Sequence, residues 1–376
     1  MDFIYSEEQR MLADSLRRFI DTEYTFEKRR AILQSDDGVD PNIWASLADM
    51  GIQGLSILPE YGGFGGDAAS QLVVQHELGR GLVCEPVTSS AAIASTIIQA
   101  HGSAQQKADW LPGLATGERI AAPAYLEQGS RFDPASVQTV AERRGDGYVL
   151  NGTKTLVWHG MAADALIVSA RLAGIEGLTL FLVPADTPNG LHRVSLPTVD
   201  GHRVASVVLT DVHLPASALV GEPGNGLAAL QSGLDWGIAA ICAEAAGAME
   251  RLIEITAEYL RVRKQFGVPL GRFQALQHRM AEMLVQKELA VSMSYVAARA
   301  LEESDSAERQ RMLSAAKVIV ARVGRFVGQQ AIQLHGGMGM TDEMAAGDYF
   351  KRLTMIDPLL GDTGFHLDRY SAVFQA

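Results

Sequence analysis

Only two cysteines, Cys84 and Cys242, occur in the 376 residues. That is too few for a disulfide framework, and their spacing matches no zinc site. They read as buried thiols in a reducing compartment. No uninterrupted apolar run reaches the roughly 18 residues that span a bilayer, and the first residues carry acids where a secretory leader has a basic region. A cytoplasmic protein with no membrane partner is expected. Positive charge is also scarce: 32 Lys and Arg stand against 44 Asp and Glu, a formal net charge of −12. That balance argues against a nucleic-acid partner. What is present, 47% hydrophobic and 20% charged residues, describes an ordered globular chain. Its length calls for two or three packed units.

Residues 1–118 read as an N-terminal helical domain. Ser6 opens an S-E-E-Q capping signal, and Pro41 suits the first position of a helix that ends near Gly51. Pro59 to Gly66, with four glycines around two aromatics, reads as a fixed loop. Helices fit 67–80 and 86–101. Over 119–225 the period shortens to that of strands, with runs at 148–150, 153–158, 165–170, 178–183 and 206–209. Asn151-Gly152 looks like a two-residue hairpin turn, and the spacing suggests a small β-barrel or sandwich. Over 226–376 the helical period returns, with helices expected near 226–262, 272–302, 307–336 and 341–354 and a last one from Phe365. Such a set suits a four-helix bundle.

The organising stretch is Tyr259 to Met283. There an amphipathic helix runs into Arg261, Arg263 and Lys264, then Gln265-Phe266-Gly267 and a loop punctuated by Pro269 and Gly271. Guanidinium forks, a flat ring and a glycine elbow can hold an anionic planar ligand. A solvated basic helix end, answering the macrodipole, accounts for the same residues. The stretch closely resembles the R-x-Q-F-G-x-P-[LI]-x-x-F-Q-x-x-Q segment of the flavin-dependent acyl-CoA dehydrogenases. Ala331-Ile332-Gln333-Leu334-His335-Gly336-Gly337-Met338-Gly339 resembles a second block of that family, in the right order and at about the right distance. The P-E-x-x-G-G-x-G pattern at 59–66 resembles its N-terminal domain.

This resemblance implies the acyl-CoA dehydrogenase fold: N-terminal helical domain, middle β-barrel, C-terminal four-helix bundle. It also implies FAD as cofactor, an acyl-CoA substrate oxidised to a trans-2-enoyl-CoA, and an electron-transfer flavoprotein as acceptor. Arg263, Gln265 and Phe266 would then contact FAD across a subunit interface, with Arg263 on the pyrophosphate. Gln333, Gly336 and Gly337 would approach a neighbouring subunit's cofactor, and Gln274 its adenosine part. The barrel half departs from the family pattern. Leu126 replaces a hydroxyl residue before Glu127, and Trp158 stands where a threonine usually faces the flavin. Trp158 either stacks near the isoalloxazine or fills the barrel.

The reaction needs a carboxylate base, and both places where the family carries one are empty, occupied by Leu360 and Gly237. Two acids remain as catalytic candidates. Glu244 lies two turns after Gly237 in an apolar run, where an unpaired carboxylate costs several kcal/mol. It is either a base with a raised pKa or a structural residue satisfied by an arginine. Asp362, beside Leu360, is the second candidate, or else a cap for the last helix. The A-E-A-x-G, K-R-L-T-M-I-D and L-x-G-D-x-x-x-H-L segments resemble the small subunit of pimeloyl-CoA dehydrogenase. This implies a sister acyl-CoA dehydrogenase chain, a hetero-oligomer, and dicarboxylic or bulky acyl-CoA esters. A partner subunit that only completes a sister chain's FAD site is the alternative.

Overall fold

The computed structural model describes residues 5–372, so the expectations for residues 1–4 and 373–376 lie outside it. In chain order it contains α1 (Glu7–Glu23), α2 (Phe26–Gln34), α3 (Pro41–Asp49) and α4 (Ala68–Gly81). A π-helix, Val87–Ala94, leads into α5 (Ser95–His101) and α6 (Ala104–Ala115). Eight strands follow: β1 (Ala121–Ala124), β2 (Val140–Arg144), β3 (Gly147–Trp158), β4 (Ala165–Leu172), β5 (Thr179–Pro184), β6 (Leu191–Pro197), β7 (Arg203–Pro215) and β8 (Leu219–Val220). Then come α7 (Gly226–Val262), the two-residue strands β9 (Lys264–Gln265) and β10 (Val268–Pro269), α8 (Gln274–Ala300), α9 (Ser306–His335), α10 (Ala346–Ile356) and α11 (Thr363–Ala372). By internal contacts these form two compact units. One is built from 1–29, 68–83 and 238–376, the other from 30–67 and 84–237.

In the second unit the sheet runs β6-β7-β3-β2-β4-β5-β8, with β1 also on β4. The expected barrel is not closed. β8 contributes only two residues, and β6 ends the other side as a half-exposed edge, with no ladder joining it to β5 or β8 among the described residues. One edge of β4 is shared, by β1 at 165–168 and by β2 at 171–172. The two halves of the sheet are therefore joined by one short parallel ladder. Side chains such as Leu150, Leu166, Phe181, Val207 and Val212 fill the core between them.

The Asn151-Gly152 hairpin is a second correction, because β3 runs straight through both residues. The register slips there instead. Asn151 donates from Nδ2 to Asp211 Oδ1 at 3.0 Å and accepts the Asp211 N–H at 2.8 Å, so the pair forms a bulge. The β2–β3 turn falls at Gly145-Asp146, between the paired Arg144 and Gly147.

The first unit holds α1, α4, most of α7, and α8 to α11. Both arms of the capping box are present at α1: Ser6 Oγ accepts from Gln9 N–H, and the Gln9 side chain accepts from Ser6 N–H. α7 and α4 approach so closely that glycine is required on each. A methyl at Gly79 would lie 1.9 Å from the Glu244 carbonyl oxygen, and one at Gly247 would lie 1.8 Å from that of His76. Of the four helices expected to form the bundle, α10 is a short element of 11 residues packed against α9. Cys84 and Cys242 are both buried, and no disulfide joins them among the described residues.

A charge cluster ties α4 to α7. His76 lies 3.3 Å from Glu250 and 3.5 Å from Glu77, while Arg80 donates to Glu250 at 2.5 Å and Arg17 to Glu77 at 2.6 Å. His76, and after it Arg80, holds the Glu250 carboxyl down to about 2 from its ordinary 4.5. A folded-state value below the unfolded one gives stability that is complete above the unfolded pKa and lost as pH falls toward the folded one. The urea midpoint should therefore drop between about pH 5 and pH 2, and Glu250→Gln should flatten that drop.

Candidate functional site

The end of α7 and the end of α9 meet in the first unit around a hollow of about 640 Å³. Arg263 and Gln265 line it from the α7 side, and Gln333, Gly336 and Gly337 from the α9 side. The two motifs singled out in the sequence, some 70 residues apart, are thus brought together within one chain. Tyr259 locks the junction: its hydroxyl donates to His335 O at 3.1 Å, and its ring stacks on the His335 imidazole with centroids 4.5 Å apart. α9 stops at Gly336 because that residue sits at φ 60°, ψ −142°, a conformation that favours glycine.

Phe266 and Gln274 stand outside the lining of this hollow. Phe266 occupies the tip of the β9–β10 turn, where it and Gly267 both have positive φ, 54° and 80°. A bulky residue in that region is strained, and the ring is 90% exposed. Its edge contact is with Phe273, at a centroid distance of 6.1 Å. Gln274 is the exposed first residue of α8.

The sequence reading missed Arg279, Leu276 and His335, which also line the hollow. The signal was the i, i+3 spacing of Leu276 and Arg279, which puts them on one face of α8. No acidic residue lines the hollow, although the chain as a whole carries −12. His335 Nδ1 donates to Ala331 O at 2.8 Å, so Nε2 is the acceptor of the neutral ring; it is buried and has no partner among the described residues. Burial holds the His335 pKa below its ordinary value. These features fit a dinucleotide. Guanidinium groups answer two phosphates, and Leu270, Ala275, Leu276 and Met338 offer apolar walls. A Cβ on Gly336 or Gly337 would enter open space with nothing within 4 Å, so the cradle is open because the side chains are absent.

In the second unit Leu126 lies beside β3, its carbonyl accepting the Thr155 N–H at 2.8 Å. Trp158, at the end of the same strand, is buried and stacks on His159 with centroids 5.3 Å apart. His159 Nε2 donates to Cys84 O at 2.8 Å, so Nδ1 accepts from Ser89 Oγ, also at 2.8 Å, on the π-helix. Next to Leu126, Glu127 accepts from the fully buried Lys154 at 2.6 Å and from Thr139. Burial lowers the Lys154 pKa to about 8.

Of the catalytic candidates, Glu244 is 5% exposed and doubly bonded to Arg352, Nε to Oε1 at 2.5 Å and Nη2 to Oε2 at 2.9 Å. Both carboxylate oxygens are thereby occupied by an arginine. Asp362 Oδ1 accepts the Phe365 N–H at 2.8 Å and so caps α11. The turn containing Leu360, at φ 57°, is held by Lys317, whose Nζ donates to the Asp357 and Gly361 carbonyls at 2.7 and 2.8 Å. His366 Nε2 donates to the Leu360 carbonyl at 3.1 Å.

A hollow with two guanidinium groups, open glycines and apolar walls suits a dinucleotide. The comparisons give the family. Models of the N-terminal, middle and C-terminal domains of acyl-CoA dehydrogenase match residues 6–118, 122–212 and 224–372, and the chain belongs to the acyl-CoA dehydrogenase family. It is 30% identical over 358 residues to a short-chain specific acyl-CoA dehydrogenase of Clostridium acetobutylicum, covering 91% of both. The glutaryl-CoA dehydrogenase of Mycobacterium smegmatis in complex with FADH2 superposes with a TM-score of 0.89 at 28% identity, covering 99% of this chain and 96% of that one. A chain of the ChsE4-ChsE5 complex of Mycobacterium tuberculosis gives 0.89 at 26% identity, covering 100% and 99%.

Proposed function

We propose that this chain is one half of a two-chain acyl-CoA dehydrogenase, holding FAD while a sister chain presents the carboxylate base. In the overall reaction a base takes the proton from the carbon next to the thioester, and the hydride leaves the following carbon. The products are a trans-2-enoyl-CoA and reduced flavin, with an electron-transfer flavoprotein as the acceptor. FAD, when bound, accepts the hydride. This chain's own residues act by holding it: Arg263 and Gln265 on one side of the hollow, Gln333 and the two glycines on the other.

The observation that carries the reading is the engagement of both candidate acids, Glu244 by Arg352 and Asp362 by the N-terminus of α11. A carboxylate in a bidentate pair with arginine has both oxygens committed to that partner and is geometrically fixed. The relative described as the ChsE4-ChsE5 complex supports a paired-chain assembly. The segments that resemble the small subunit of pimeloyl-CoA dehydrogenase favour a dicarboxylic or bulky acyl-CoA as substrate.

The test is spectroscopic. The purified chain should be yellow on reconstitution with FAD and should keep its colour when acyl-CoA is added anaerobically. Mixed with its sister chain it should bleach. Bleaching of this chain alone refutes the division of labour.

A further inference from the structure

We propose that Arg279 is a second phosphate-binding residue of the cofactor site, sharing with Arg263 the two charges of the dinucleotide's diphosphate. The inference rests on the hollow being the FAD site and assigns a residue to it that neither motif contains. Arg279 projects from α8, one turn after Leu276, and both line the hollow with Arg263. Every other side chain around that hollow is apolar, a neutral amide, a tyrosine, a methionine or a histidine with a depressed pKa. The two guanidinium groups are therefore its only fixed charges among the described residues, and they share the sign.

Like charges on one small surface repel, and nothing in the lining compensates them. Some arginines elsewhere in the chain are paired with acids: Arg17 with Glu77, Arg80 with Glu250 and Glu254, Arg311 with Glu308. Arg263 and Arg279, both exposed, form no ion pair among the described residues. A site with two uncompensated guanidinium groups, in a chain of net charge −12, suits a ligand that brings two negative charges of its own. One arginine serves a monophosphate; two match a diphosphate. Leu276, on the same face of α8 as Arg279, supplies an apolar surface beside it, as an adenylate attached to that diphosphate requires.

The experiment uses the assembled protein stripped of flavin, titrated with FAD, with ADP as a probe carrying the diphosphate without the flavin, and with riboflavin as a probe carrying the ring alone. Flavin binding is followed by fluorescence and ADP binding by calorimetry. Arg279→Gln should weaken FAD and ADP each by about ten- to a hundredfold, the range for loss of a hydrogen bond to a charged group. Riboflavin affinity and the melting temperature of the apo protein should stay unchanged. Arg279→Lys, which keeps the charge, should recover part of the loss, and raising the salt should shrink the difference between wild type and Arg279→Gln. Unchanged FAD and ADP affinity in Arg279→Gln, with Arg263→Gln weakened, overturns the assignment of Arg279 alone. Equal weakening of all three ligands with a lowered melting temperature makes Arg279 structural and overturns it too. If neither arginine matters, the hollow is not the cofactor site and both readings fall together.

Discussion

Replacing Arg352 with methionine should destabilise the chain by about 3–5 kcal/mol, the range for removing one partner of a buried ion pair. Arg352 on α10 is 2% exposed and Glu244 on α7 is 5% exposed, so neither charge can turn to water when the other is gone. The surroundings make the site intolerant. Glu244 lies where α4 and α7 cross through Gly79 and Gly247, and its own carbonyl is the atom a methyl on Gly79 would strike. Backbone this close cannot relax to admit water around an orphaned carboxylate. The double variant Glu244→Met, Arg352→Met should recover most of the loss, because an apolar pair removes both desolvation penalties. A thermodynamic cycle on urea unfolding measures the coupling. The same variants bear on chemistry. Under the proposed two-chain reading, Glu244→Gln in the assembled enzyme should lose stability while α-proton exchange into acyl-CoA continues near the wild-type rate. A loss of exchange of about a thousandfold at unchanged stability, the size expected of a catalytic base, would return that role to Glu244.

The pair also marks where sequence reading stops. Glu244 was conspicuous because a carboxylate in a run of alanines needs a reason, but its partner lies 108 residues away on another helix, and no local pattern names it. Features decided within one turn were legible: the Ser6–Gln9 capping box, and Pro41 opening α3, to which the structure adds Asp40 as the cap. Asn151-Gly152 misled for the converse reason. Its dipeptide chemistry is that of a turn, but Asp211 on β7 takes both ends of the Asn151 amide and holds the segment in the sheet as a bulge. Closure of the sheet is also nonlocal, set by the shared edge of β4. The stretches at 259–283 and 331–339 stood out through their resemblance to a family, since guanidinium groups and glycines at that spacing also describe a solvated helix end. Arg279 lies inside the organising stretch but outside both motifs, and only the fold sets it beside the end of α9.

The second large effect is expected at Gly337, where valine should sharply weaken FAD binding with little change to the apo protein. A Cβ there meets nothing within 4 Å, and the residue is not among the glycines with positive φ, so the substitution strains neither packing nor backbone. The added isopropyl group enters the space that the cradle leaves open between the α9 end and Arg263. Overfilling a fitted site costs about 1–3 kcal/mol or more, so FAD affinity should fall by up to about a hundredfold. The stabilisation that bound cofactor lends by mass action, about 2.7 kcal/mol at a hundred times Kd, should disappear with it. Melting curves with and without FAD should therefore coincide for Gly337→Val and differ for wild type. Gly336→Val is the internal comparison. At φ 60° it adds backbone strain of about 1–3 kcal/mol, so it should lose the cofactor and also melt earlier as apo protein. A Gly337→Val chain that stays yellow, with wild-type affinity, would mean that FAD does not pass between the glycine turn and the arginines.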